Sequence, residues 1–286
     1  MTSQRINQVS AHVYWLPPDS TTDRPVLGAV VGQNGTLVVD AGNSPAHANL
    51  LKSELERIGA PAPKFLVLTH SHWDHWFGIS AFEVPAVASV ETRHHLEELS
   101  QLDWSDTALD ERVEAGLEIA FCRDMLRKEL PDRSQLVLRP PEVAFRDRLE
   151  IDLGGVTCRT IQVGGDHASD SSVVFIPQEG VIFLSDCLNA DIYHTPPRYT
   201  PQGVYGLIER LRLCPGEHYF WGHGQEPMPR EELDDFLSLL KTTARLVENG
   251  LVEQKALLQA VEERLGRPLG EADVEDVQAF ISGAQV

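Results

Sequence analysis

Short apolar runs separated by turn residues dominate the first ninety positions and predict strands over 12–16, 26–32, 36–40, 65–68 and 84–89. Gln33-Asn34-Gly35 sits between two of these runs and predicts a hairpin. Residues 45–59 change to helical spacing, with Ala48, Leu51, Leu55 and Ile58 on one face and Gly59 as the stop. A helix is also expected over 91–99. Residues 107–130 form the longest amphipathic segment of the first two thirds and read as one helix ending at Pro131. It is either an ordinary packing helix or a lid over a substrate pocket.

From position 136 the period returns to strands, at 136–138, 143–145, 149–153, 156–163, 172–176 and 181–185. Turns at Gly154-Gly155 and Gln178-Glu179-Gly180 make this a second, largely antiparallel sheet. Helices follow at 201–213, 230–248, 252–265 and 272–281, with a short strand at 219–221. The order is that of a mixed α/β (α+β) chain.

The densest chemistry lies directly after the strand at 65–68. His70-Ser71-His72-Trp73-Asp74-His75 places three imidazoles and a carboxylate in one loop, a donor set suited to zinc and other first-row metals. A two-metal site needs about seven protein groups, so further ligands must come from elsewhere. Three candidates stand at strand ends: His167 in a glycine loop, Asp186 after an apolar run, and His223 between Gly222 and Gly224. Asp40 ends an earlier strand and is either a turn residue or part of the site rim. Cys187 is also a metal-capable donor, but neighbouring strand positions point opposite ways, which leaves it as core beside Asp186. Trp73 and Trp76 are pocket walls or packing anchors. His94 and His95 are adjacent on a helix and read as surface.

In the order Asp40, His70-x-His72-x-Asp74-His75, His167, Asp186, His223, the chain resembles the metallo-β-lactamase-fold hydrolases over residues 10–225. The resemblance implies a four-layer αββα sandwich, with the catalytic domain over 1–228, a helical insertion at about 91–131, and a C-terminal helical extension over 229–286. It also implies two divalent ions, zinc first, with iron or manganese as alternatives. His70, His72 and His167 would hold one ion, Asp74, His75 and His223 the other; Asp186 would bridge them and Asp40 would orient a ligand. The aspartate at the bridging position places the chain on the glyoxalase II and lactonase side. In related lactonases a tyrosine after the bridging aspartate reaches the substrate carbonyl. Tyr193 is the candidate here, with His194 or Tyr199 as alternatives.

The expected reaction is hydrolysis of a small ester, lactone or thioester by a metal-bridging hydroxide, with Asp74 orienting it or accepting its proton. The alternatives are an iron-dependent oxidoreductase acting on oxygen or sulfur species, β-lactamase-like amide hydrolysis, and a metal-binding interaction protein without activity. Composition narrows the partners. With 24 Lys+Arg against 43 Asp+Glu, the formal charge of −19 opposes nucleic acid and anionic membranes, leaving a small-molecule substrate. Four dispersed cysteines, no leader-like start and no bilayer-length apolar stretch predict a reduced, cytoplasmic protein. The C-terminal helices are candidates for pocket rim or homodimer face.

Overall fold

In the computed structural model, which describes residues 4–284, two β-sheets stack face to face beneath helices on both outer surfaces. Strands β1 (Asn7–Gln8), β2 (Val13–Leu16), β3 (Leu27–Gly32) and β4 (Gly35–Val39) run antiparallel in succession. The β3–β4 hairpin turns on Gln33-Asn34, as the sequence predicts. Helix α1 (Pro45–Arg57) then leads to β5 (Pro63–Val67). Ser44 caps α1 by accepting from the His47 N–H at 3.0 Å, and Pro45 occupies the first turn, where a missing N–H costs nothing.

Strands β5, β6 (Ala86–Ser89) and β7 (Val143–Phe145) extend the sheet in parallel. The short helix α2 (Trp73–Trp76) lies between β5 and β6. Helices α3 (Val90–Leu99), α4 (Asp106–Glu114) and α5 (Ala120–Glu129) lie between β6 and β7. The second sheet contains β8 (Arg148–Asp152), β9 (Thr157–Gln162), β10 (Ser172–Ile176), β11 (Val181–Ser185), β12 (His218–Trp221) and β13 (Met228–Pro229). Its one parallel pair, β11 with β12, is joined through α6 (Pro201–Leu211), the crossover that parallel pairing requires. Helices α7 (Arg230–Glu248), α8 (Gln254–Leu265) and α9 (Glu271–Gly283) follow.

The apolar runs are continuous because both faces of the strands are buried. On β4, Leu37 and Val39 enter the layer between the sheets, whereas Val38 faces the outer helices. On β11, Val181 and Phe183 face inward and Ile182 and Leu184 face α6 and α7. Phe220 joins the sheets, stacking on Phe183 at 5.0 Å and tilting against Trp15 at 5.2 Å. Cys187 is buried in the outer cluster, and burial pushes its thiol well above the usual range, which agrees with its reading as core.

Three expectations are corrected. Residues 107–130 are two helices, broken where Gly116 takes a left-handed φ of 68°, which glycine alone adopts freely. Residues 143–145 pair with β6 at the edge of the first sheet instead of joining the second. Residues 136–138 form no strand; Leu136 and Leu138 pack under the first sheet's helical layer. An isolated apolar triplet does not specify its pairing partner, because register is settled by contacts distant in sequence. Among the described residues no helix is long and apolar enough to cross a membrane.

Candidate metal centre

The segment after β5 rises into a loop whose backbone is pinned from below. Thr69 donates its backbone N–H to Oδ1 of Asp40 at 2.8 Å and its hydroxyl to Oδ2 at 2.9 Å. Asp40 and Ser185, at the ends of β4 and β11, have positive φ values of 63° and 52°. Non-glycine residues in that region carry a conformational cost and concentrate at functional sites. Here the strain turns both chains sharply at the same end of the two sheets, with Ser185 Oγ 3.5 Å from Asp40 Oδ2.

The structure brings the seven expected metal ligands into two adjoining clusters, His70 with His72 and His167, and Asp74 with His75, Asp186 and His223. One atom lies between them. Oδ2 of Asp186 is 3.1 Å from Nε2 of His75, 3.6 Å from those of His167 and His223, and 3.9 Å from that of His70. Asp74 Oδ2 stands 3.1 Å from His75 Nε2 and 3.3 Å from His223 Nε2.

The ring orientations are set from behind. Nδ1 of His75 donates to Asp40 Oδ2 at 2.8 Å, and Nδ1 of His167 donates to the Ala190 carbonyl at 3.2 Å. With Nδ1 engaged, Nε2 is left to face the cluster. Nε2 of His70 and of His167 and Oδ1 of Asp186 are buried with no hydrogen-bond partner among the described residues. Buried polar atoms without partners are costly, and a coordinated cation removes that cost for all three. The donors therefore fit a pair of divalent ions.

The electrostatics agree. Burial, reinforced by neighbouring imidazoles, holds His70 well below its ordinary value and His72 at about 4, so both rings are neutral and able to ligate. Burial also opposes charge on His75 and His223, but the surrounding carboxylates of Asp74 and Asp186 overcome it and raise both. Burial likewise opposes ionisation of Asp74 and Asp186, and the same imidazoles overcome it, holding both carboxyls well below the usual range. This half of the site demands positive charge, which a proton or a divalent ion can satisfy.

A cavity of about 150 Å³ opens above the clusters and is lined by Trp73, Phe121, Cys122, Asn189, Ile192 and Tyr193 as well as ligand residues. Tyr193 is within it, its ring 5.1 Å from that of His72. His194 is not: it is exposed and paired with Asp191 at 2.6 Å. Tyr199 is buried in the C-terminal helical cluster, its hydroxyl donating to the Leu188 carbonyl at 2.7 Å. Trp76 is a fully buried packing anchor, whereas Trp73 both packs and lines the cavity. His94 is exposed, and His95 is half-buried with Nδ1 3.7 Å from Asp170.

Sequence reasoning missed Asp23. It sits in the β2–β3 loop with a φ of 58°, lines the cavity, and places Oδ1 3.6 Å from Nδ1 of His223. Burial, together with the charge of Asp74, raises its carboxyl to about 7. Its only local signal is an aspartate just before Arg24-Pro25 in a turn-rich segment.

The profile of the Metallo-beta-lactamase superfamily matches residues 22–241. A linear primary-alkylsulfatase from Pseudomonas sp. is 23% identical over 239 residues, 76% of this chain and 45% of that protein; the chain thus spans less than half of that relative. A metallo-beta-lactamase from Pontibacter korlensis superposes with a TM-score of 0.57 at 19% identity, covering 82% of this chain and 97% of that one. A stereoselective inverting sec-alkylsulfatase from Pseudomonas sp. gives 0.66 at 13% identity, covering 98% of this chain and 49% of that one. A profile match of that extent, on two facing sheets enclosed by helices, makes this chain a member of the metallo-beta-lactamase superfamily.

Proposed function

We propose that this protein is a two-metal hydrolase of a small ester, lactone or thioester. The observation that supports it most directly is Asp186 Oδ2, within 3.9 Å of four imidazole Nε2 atoms from both clusters, where a carboxylate shared by two ions belongs. On this reading His70, His72 and His167 hold one ion, and Asp74, His75 and His223 the other. Zinc suits the mixed imidazole and carboxylate donors, with iron and manganese as the other outcomes of metal analysis. The aspartate at the shared position supports the glyoxalase II and lactonase side of the family.

Two bound divalent ions supply an activated water at neutral pH and Lewis-acid stabilisation of negative charge. Asp74, whose Oδ2 faces His75 and His223, would orient the attacking water or accept its proton. The Tyr193 hydroxyl donates to the substrate oxygen as that oxygen becomes negative. Burial holds this phenol well above its ordinary value, so it remains a donor at neutral pH. Trp73, Phe121 and Ile192 limit the entry of bulk water.

The described residues lining the cavity include no lysine or arginine, which favours an uncharged electrophile over an anionic one. A second reading, hydrolysis of a sulfate ester, is favoured by the alkylsulfatases among the relatives. Metal analysis of the purified protein, followed by assays on carboxylic ester, lactone, thioester, alkyl sulfate and β-lactam substrates, separates these. The expected result is two metals per chain and turnover of carboxylic esters, lactones or thioesters, both reduced in Asp186→Asn. Full activity of Asp186→Asn with two metals bound, or turnover restricted to alkyl sulfates, would overturn the first reading.

A further inference from the structure

A second and larger cavity, about 790 Å³, adjoins the candidate active site. Asn189 and Ile192 line both spaces, and Trp221, two positions before His223, forms part of the larger wall. The groove runs from there between the first turns of α7 and α9. Its floor is apolar and aromatic, with Tyr199, Met228 and Phe236 beside Trp221, a residue that is 37% exposed.

The rim is predominantly acidic. Glu231, Glu232 and Asp235 come from α7, and Asp273, Glu275 and Asp276 from α9. Among the described residues Arg267 is the one cation on the lining, and it is paired with Asp273. The other five carboxylates make no ion pair among the described residues. Burial and the neighbouring Asp273 raise the Asp276 carboxyl to about 6, which still leaves it ionised at neutral pH.

We propose that this groove binds a cationic, apolar part of the substrate, a protonated or quaternary amine on a hydrocarbon stem, while the scissile bond lies over the metal clusters. The stem is accommodated by the aromatic floor, and the cation gains from the Trp221 ring face and from the surrounding carboxylates. A groove over 700 Å³ is large enough for a group of this size beside a reaction cavity of about 150 Å³. An anionic stem would meet only repulsion from the rim. The inference rests on the hydrolase reading for the placement of the scissile bond, but the binding of the cation does not.

Calorimetric titration of the full metal-loaded protein with octyltrimethylammonium and with octanol tests it. The cation is expected to bind about tenfold more tightly than the neutral alcohol, with the difference reduced at raised salt. The Asp235→Asn/Asp276→Asn double variant should bind octanol unchanged and lose the preference for the cation. Glu232→Gln, on the exposed rim, provides a milder version should the double variant fold poorly, with a drop of about twofold in the same preference. Equal affinity for the two probes, or a preference untouched in the double variant, overturns the proposal. Cation preference without turnover of any carboxylic ester, lactone or thioester would leave the groove standing and remove the hydrolase reading; such turnover without cation preference would do the reverse.

Discussion

Nδ1 of His75 donates a 2.8 Å hydrogen bond to Oδ2 of Asp40, so the opposite nitrogen of that ring is fixed toward Asp74 and Asp186. The same carboxylate accepts from Thr69, which begins the ligand loop. One residue therefore holds both a ligand ring and the loop that carries it. Asp40→Ala should lower metal affinity by about 10- to 100-fold, read by competition with a chromogenic chelator. It should also lower the melting temperature, because the Thr69 N–H loses its buried acceptor. Unchanged metal affinity would remove the orienting role.

Gly222 offers a steric test of Asp186. A Cβ at this glycine would stand 2.0 Å from Asp186 Oδ1. Gly222→Ala should displace the carboxylate, reduce metal stoichiometry below two, and cost about 1–3 kcal/mol in urea unfolding. Retention of two metals would show that the carboxylate has room to move.

Tyr193→Phe separates chemistry from architecture. Among the described residues the phenol's one side-chain contact by hydrogen-bond geometry is a weak 4.0 Å approach to Cys122 Sγ, so its loss leaves little unsatisfied. If the hydroxyl stabilises the developing oxyanion, kcat falls about 100-fold while metal content and folding stay as they are. A change confined to KM would assign Tyr193 to substrate packing.

Far from the site, Glu54 ties the N-terminal segment to α1. Hydrogen bonds from Arg57, opposed by burial and joined by Ile6 N–H and Arg5, hold its carboxyl at about 2 against an ordinary 4.5. The folded-state value is depressed, so its contribution is complete above pH 4.5 and is lost as pH falls toward 2. Glu54→Gln should destabilise the protein by about 1–3 kcal/mol at neutral pH. The gap to the parent should narrow in urea titrations between pH 4.5 and 3. A gap independent of pH would mean that packing, not charge, accounts for the loss.

The amino-acid sequence determined the parts that rest on short-range chemistry. The Gln33-Asn34 hairpin, the capped start of α1 at Ser44-Pro45 and the helical periods of α7 to α9 follow from turn, cap and periodicity rules that act within a few residues. His70, His72, Asp74 and His75 were legible as a ligand cluster because they sit in six consecutive positions. His167, Asp186 and His223 could be named because each lies in the turn or glycine loop that follows an apolar strand.

Tertiary structure alone decided what depends on contacts across long stretches of chain. It placed 143–145 on the first sheet, since an edge strand is assigned by the neighbour it meets and not by its own three residues. It selected Tyr193 for the cavity, left His194 at the surface with Asp191, and brought Asp23 beside His223 from 200 positions away. It also formed the acidic groove, whose carboxylates are spread over two helices that the sequence alone offers only as pocket rim or homodimer face. Burial and charge acquire their consequences only once distant segments share one space, and no local pattern records that.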